Sequence, residues 1–171
     1  MDKNVRKKLD GWKDKAQKQL RIADECLKRY EYSESVQASQ ESIELSVKTI
    51  LSLLAIEFST SHEWRPDSKQ FETIAIQIKD KKIIERIEES HLYNLRLPRL
   101  LFILNFWGQF NTVAKYGYEK GDLAAARDLF IFDDEAKLAL KHANECESAL
   151  ITLFCLPQDR LDMIVGDVLK K

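Results

Sequence analysis

Glycine and proline are scarce in this 171-residue chain, at 5 and 3. A many-stranded sheet draws on both for its turns, so a mostly helical protein is predicted. The three cysteines, Cys26, Cys146 and Cys155, are odd in number, far apart and without paired metal-ligand spacing. Cys146 and Cys155 lie among apolar residues and are read as reduced, buried thiols. His62, His91 and His142 stand alone, so no metal site is expected. Glycine-rich phosphate loops and a Gly-x-Ser-x-Gly elbow are absent. No apolar run approaches the ~20 residues of a membrane span. The start, MDKNVRKKLDGWKDK, has no apolar signal-peptide core, and a cytoplasmic location is expected. An excess of one charge is missing too: 27 Lys or Arg against 28 Asp or Glu gives a net charge of -1 and no global field for nucleic acid.

Hydrophobic residues at 44% and charged residues at 32% are instead those of an ordinary globular chain, of a length that suits one domain. Its organising stretch is Tyr32 to Phe58. Val36, Ile43, Val47, Ile50 and Leu54 recur there at helical spacing, with Gln37, Glu41, Glu44 and Lys48 on the opposite side. The first half reads as an amphipathic helix, capped by Ser33, and the second half as wrapped by neighbours.

The preceding residues, about 4 to 30, form a helix with Val5, Leu9, Trp12, Ala16, Leu20, Ala23, Leu27 and Tyr30 on one stripe. Its other side is basic, ten Lys or Arg against five Asp or Glu within residues 1–30. That reads as a solvated face with interleaved carboxylates or, alternatively, as a phosphate-attracting patch. The loop STSHEWRPDSK follows, in which His62 beside Trp64 pins the loop or serves as a ligand. A helix with Phe71, Ile74, Ala75 and Ile78 on one side opens at Asp67 or Ser68, and a short polar helix ends near His91. Residues 98 to 116 form one very apolar helix that begins at Pro98 and runs through the bundle or along a subunit interface. Asp133 and Asp134 open the last long helix, and Leu156-Pro157 ends it. Residues 158–171 are an amphipathic tail with Leu161, Ile164 and Val168 on one face. The fold class is therefore all-α, a bundle of about five main helices over residues 1–156 with a tail helix over 157–171.

Two polar groupings are candidates for chemistry. Arg86 and His91 enclose four residues, a spacing that sets them ~140° apart on a helix and keeps them from converging within one chain without a bend. Glu44 and Lys48 are four apart with Glu first, which reads as a surface ion pair. Alternatively Gln40, Glu44 and Lys48 line a groove that Lys115 and Tyr116 approach, with Lys attracting a phosphate and Tyr stacking on a base.

Several of these residues resemble the HEPN family (higher eukaryotes and prokaryotes nucleotide-binding domain). Tyr32, Val36 and the run Gln40-Glu41-Ser42-Ile43-Glu44-Leu45-Ser46-Val47-Lys48 are similar to its second helix, with Gln40, Glu44 and Lys48 matching by residue. His62 resembles the His that opens the next segment. Ala114-Lys115-Tyr116 resembles the Ala-Arg-Tyr closing its fourth helix, with Lys115 in place of Arg, and Asp134-Glu135-Ala136 resembles the start of its last helix. The similarity spans roughly residues 5–155.

The resemblance implies an up-and-down bundle that pairs as a homodimer. It also implies either a metal-independent RNase, often a toxin, with an Arg and a His from each chain in the dimer groove, or a non-catalytic member that partners a small nucleotidyltransferase. In the RNase members that pair belongs near the fourth helix, whereas Arg86 and His91 lie earlier. The reading is thus a non-catalytic module for nucleotide or RNA, or a partner of a minimal nucleotidyltransferase in a toxin-antitoxin type system. The alternatives are an RNase using Arg86 and His91, and a helical protein-interaction module. No cofactor and no membrane are implied.

Overall fold

The computed structural model of the protein describes residues 3–58, 68–118 and 124–166. His62, Trp64 and Val168, named above, lie outside the described residues. Those described fold into helices α1 (Lys3–Lys28), α2 (Tyr32–Leu53), α3 (Ser68–Asp80), α4 (Ile83–Glu89), α5 (Leu97–Gly108), α6 (Asn111–Tyr116), α7 (Ala126–Leu129), α8 (Asp134–Phe154) and α9 (Gln158–Val165). An isolated antiparallel bridge joins Tyr118 to Ala124. The protein is an all-α bundle.

The long helices α1, α2 and α8 pack on one another, and α2, lying between the others, also touches α5, α6 and α7. All five residues of the predicted α2 stripe are fully buried. The wet side of the expected amphipathic first half is narrow: Glu34 is exposed, and Gln37, Glu41 and Glu44 are half-buried. Ser35, Ser39, Ser42 and Ser46 form a second buried stripe, at spacings of four, three and four. Small side chains there let α1 come close, through Ala16 and Ala23, which are also wholly buried. The Ser35 Oγ donates to the Ala23 carbonyl at 2.8 Å and the Ser42 Oγ to the Ala16 carbonyl at 2.9 Å. The hydroxyls of Ser39 and Ser46 are buried without a hydrogen-bond partner among the described residues.

Several boundaries differ from expectation. Ser33 lies inside α2 and donates to Glu34 at 2.8 Å rather than capping the helix. α2 stops at Leu53, because Ala55 turns into the left-handed region at φ 53°. The expected helix 98–116 is α5 and α6 separated by a slack turn, in which Phe110 N–H reaches only as far back as the Trp107 carbonyl. Gln109 and Phe110 keep right-handed helical dihedrals there, so the chain holds its helical course. Val5 and Tyr30, assigned to the α1 stripe, are exposed. Cys146 is buried as expected, and burial pushes its thiol pKa up, whereas Cys155 caps the end of α8 and is exposed.

With so few glycines, helices end on residues that are poorly suited to the task. Tyr30, Ala55 and His91 each occupy the left-handed position after α1, α2 and α4, at φ 63°, 53° and 56°. Each is followed by the paired backbone bonds of a Schellman turn, such as His91 N–H to the Glu88 carbonyl and Leu92 N–H to the Ile87 carbonyl. Lys82, at φ 50°, serves after α3. A Cβ makes this conformation cost about 1–2 kcal/mol. Gly117 is used where nothing else fits: at φ 72°, an added Cβ would lie 2.0 Å from the Ala124 carbonyl oxygen. Lys82→Gly and His91→Gly are each expected to raise stability by about 0.5–1 kcal/mol in urea denaturation, after the entropy of the unfolded glycine is subtracted. Gly117→Ala is expected to lower it by about 2 kcal/mol or more.

Candidate functional site

Gln40, Glu44 and Lys48 stand one turn apart on α2 and are hydrogen-bonded in line. Gln40 Nε2 donates to Glu44 Oε2 at 3.4 Å, and Lys48 Nζ reaches Glu44 Oε1 at 2.6 Å. This is not the surface pair that the spacing suggested. The Lys48 and Glu44 side chains are only 5% and 12% exposed. So far from water, the Glu44 carboxylate needs the cation that Lys48 supplies, since without it the charge would be uncompensated.

Lys115 and Tyr116 end α6, which packs on α2. Both are exposed, Tyr116 at 57%, and among the described residues neither side chain is bonded to the Gln40–Glu44–Lys48 line. The structure therefore places the five candidates on two adjoining helices, three of them nearly buried and two open to solvent.

Arg86 and His91 are not brought together. Arg86 Nη1 donates to the Ile164 carbonyl at 3.4 Å, near Gly166 at the end of α9. Arg160 of α9 returns the contact, donating from Nη2 to the Ser90 carbonyl at 3.2 Å at the end of α4. Each short helix thus has its C-terminal carbonyls capped by an arginine of the other, where a cation also suits the helix dipole. His91 lies beyond α4 in the left-handed turn, exposed, with Nδ1 2.8 Å from the Tyr93 hydroxyl.

The sequence reading missed a polar and aromatic cluster between α5 and α8. Arg99 pairs with Glu145 through two hydrogen bonds, one from Nε to Oε1 and one from Nη2 to Oε2 at 2.7 Å. The Arg99 guanidinium holds the Glu145 carboxyl below its usual range. One turn away on α8, His142 Nδ1 accepts from Trp107 Nε1 at 2.9 Å, which fixes the ring proton on Nε2. On the solvent side of α5, Phe102 and Phe106 are 62% and 38% exposed, with ring centroids 6.3 Å apart and planes within 19°. Nothing in local spacing links Arg99 to Glu145. The two phenylalanines were legible, because they are four apart and off the buried stripe of their helix.

The sequence model of the HEPN domain matches residues 9–148. The chain belongs to the HEPN family. The matched span opens at Leu9 in α1 and includes α2 and most of α8, the helices that make up the central packing. No curated protein and no solved structure matches the chain. Among the described residues of this HEPN chain, no group of three His, Cys, Asp or Glu side chains could hold a metal ion, and no helix is long and apolar enough to cross a membrane.

Two expectations follow from this geometry. Lys48→Ala leaves the nearly buried Glu44 carboxylate without its cation, and should cost about 3 kcal/mol of stability, while Tyr116→Ala changes the melting temperature little. Equal melting of Lys48→Ala and the parent would show that the pair is solvated. The second expectation concerns His142, whose pKa is lowered from 6.5, first by burial and then by the Arg99 charge. As the pH falls below 6.5, the unfolded chain takes up a proton that the folded ring refuses. This contribution to stability is therefore complete above pH 6.5 and is lost progressively below it. Urea midpoints of the parent and of His142→Gln should differ in slope across pH 7 to 5, with the parent falling more.

Proposed function

We propose that this HEPN chain is a non-catalytic module that acts in the cytoplasm as a homodimer and that binds nucleotide or RNA, partners a minimal nucleotidyltransferase in a toxin-antitoxin type system, or does both. The observation that carries the non-catalytic part is the separate employment of Arg86 and His91. Metal-independent RNA cleavage needs a His within hydrogen-bond reach of the scissile phosphate and a cation for the developing charge. Arg86 is engaged at the end of α9, and His91 faces solvent beside Tyr93. Family membership supports a nucleotide- or RNA-related role.

Within the binding region the residues divide the work. Gln40, Glu44 and Lys48 set the polar side of α2, and their burial suits a supporting role. Lys115 offers an ammonium to a phosphate, and Tyr116 a ring to a base. Pairing of two copies is supported by apolar surface left over after folding. A cleft of ≈ 390 Å³ between α3, α4 and α5 is lined by Ala75, Ile78, Ile84, Pro98 and Leu101 together with Lys79 and Glu85, and Ile76 is exposed on α3.

The tests are direct. Purified protein incubated with single-stranded and structured RNA in EDTA should leave both intact; cleavage that disappears in His91→Ala would overturn the non-catalytic reading. Lys115→Ala and Tyr116→Ala should weaken RNA or nucleotide binding in fluorescence anisotropy without lowering the melting temperature. Light scattering at micromolar concentration should give twice the mass of the chain, and a monomer mass would remove the dimer. Capture from the native host should recover a nucleotidyltransferase, and its consistent absence would remove that partner.

A further inference from the structure

The exposed face of α5 continues beyond the end of the helix. Phe102, Asn105, Phe106 and Gln109 are exposed at spacings of three and four, and Lys115 and Tyr116 follow on α6. Because Gln109 and Phe110 keep helical dihedrals through the turn, an advance of about 100° per residue sets Phe102, Asn105, Phe106, Gln109 and Tyr116 on one strip, with Lys115 about 80° beyond its edge. From Phe102 to Tyr116 it is about 21 Å long at 1.5 Å per residue. Along it come two near-parallel rings with a carboxamide between them in the chain, a second carboxamide and a phenol, with an ammonium beside the far end. Rings stack on bases of any identity, carboxamides hydrogen-bond base edges, and the ammonium attracts phosphate.

The charge beside the strip has the sign this ligand needs. Arg99 lies one turn before Phe102, and Glu145 also feels the charge of Arg96. His142 feels Arg99 and Lys141. Arg96 and Arg99 therefore both act on the Glu145 carboxylate, which Arg99 already neutralises, and Lys141 lies near the adjoining His142. An excess of positive charge next to exposed rings fits a polyanion carrying bases better than an apolar partner surface.

We infer that the α5–α6 strip is a track for single-stranded RNA several nucleotides long, running from Phe102 to Tyr116. This rests on the reading of the chain as a nucleotide- or RNA-binding module, and it chooses the oligomer over the mononucleotide. A nucleoside triphosphate would occupy only the Lys115–Tyr116 end and leave both phenylalanine rings bare. Bases stacked on Phe102 and Phe106 use the whole length.

The test compares two probes on the full chain: a fluorescein-labelled eight-nucleotide single-stranded RNA, read by anisotropy, and ATP, read by calorimetry. The parent should bind the RNA more tightly than ATP. Phe102→Ala/Phe106→Ala should weaken RNA binding at least tenfold with ATP binding unchanged, and Phe102→Ala alone, at the more exposed ring, should act in the same direction even if the double variant loses stability. RNA affinity within twofold of the parent in Phe102→Ala and in the folded double variant would overturn the track and leave the broader reading standing. Failure of the parent to bind either probe would overturn both. A fall from dimer to monomer mass in the double variant would overturn the track by making the strip a contact between two copies.

Discussion

Ser35 and Ser42 give their hydroxyl protons to carbonyls of Ala23 and Ala16, and the closeness this requires governs how α2 meets everything else. Two helices can approach this near only where both present small side chains. The serine stripe of α2 and the alanines of α1 supply them. With one side committed to α1, the stripe of Val36, Ile43, Val47, Ile50 and Leu54 is directed to the other neighbours, α8 among them. The Gln40–Glu44–Lys48 line borders the remaining side, where the Glu44 and Lys48 charges are nearly covered and meet each other.

Much of this fold was legible because apolar residues at helical spacing dominate the chain. The α2 stripe, Pro98 in the first turn of α5 and the carboxylates opening α8 all lie where the pattern put them. Helix ends were less legible, for a specific reason. An end is usually marked by glycine, and here Tyr30, Ala55, Lys82 and His91 take its place. The buried serines in the first half of α2 carry no apolar signal either. A serine stripe looks like a wet face in sequence, yet a hydroxyl that can bond a neighbouring carbonyl is well suited to a tight helix contact.

The candidate site divides along similar lines. Spacing was enough to find the Glu44–Lys48 pair, because partners four apart on one helix meet whatever the fold. Their burial depends on elements far away in the chain and left no local trace. The same holds for Arg99 with Glu145 and Trp107 with His142, which are joined only when α5 lies against α8. Arg86 and His91 show the opposite failure: a motif at a chemically suggestive spacing whose members are drawn to different tasks, one to the end of α9 and one to a turn.

The mutual capping of α4 and α9 also bears on how the chain is made. Ser90 and Arg160 are separated by 70 residues, and Arg86 and Ile164 by 78. At roughly 5–20 residues per second of synthesis, α4 waits several seconds for the segment that finishes it. During that interval the Ser90 carbonyl and the Arg86 guanidinium have only water, while the Ile87 and Glu88 carbonyls are held by the turn itself. A seven-residue helix in that condition is marginal by itself. The region around α4 is then the last part of the bundle to become rigid on the ribosome, and the part most accessible to chaperones and proteases until α9 arrives.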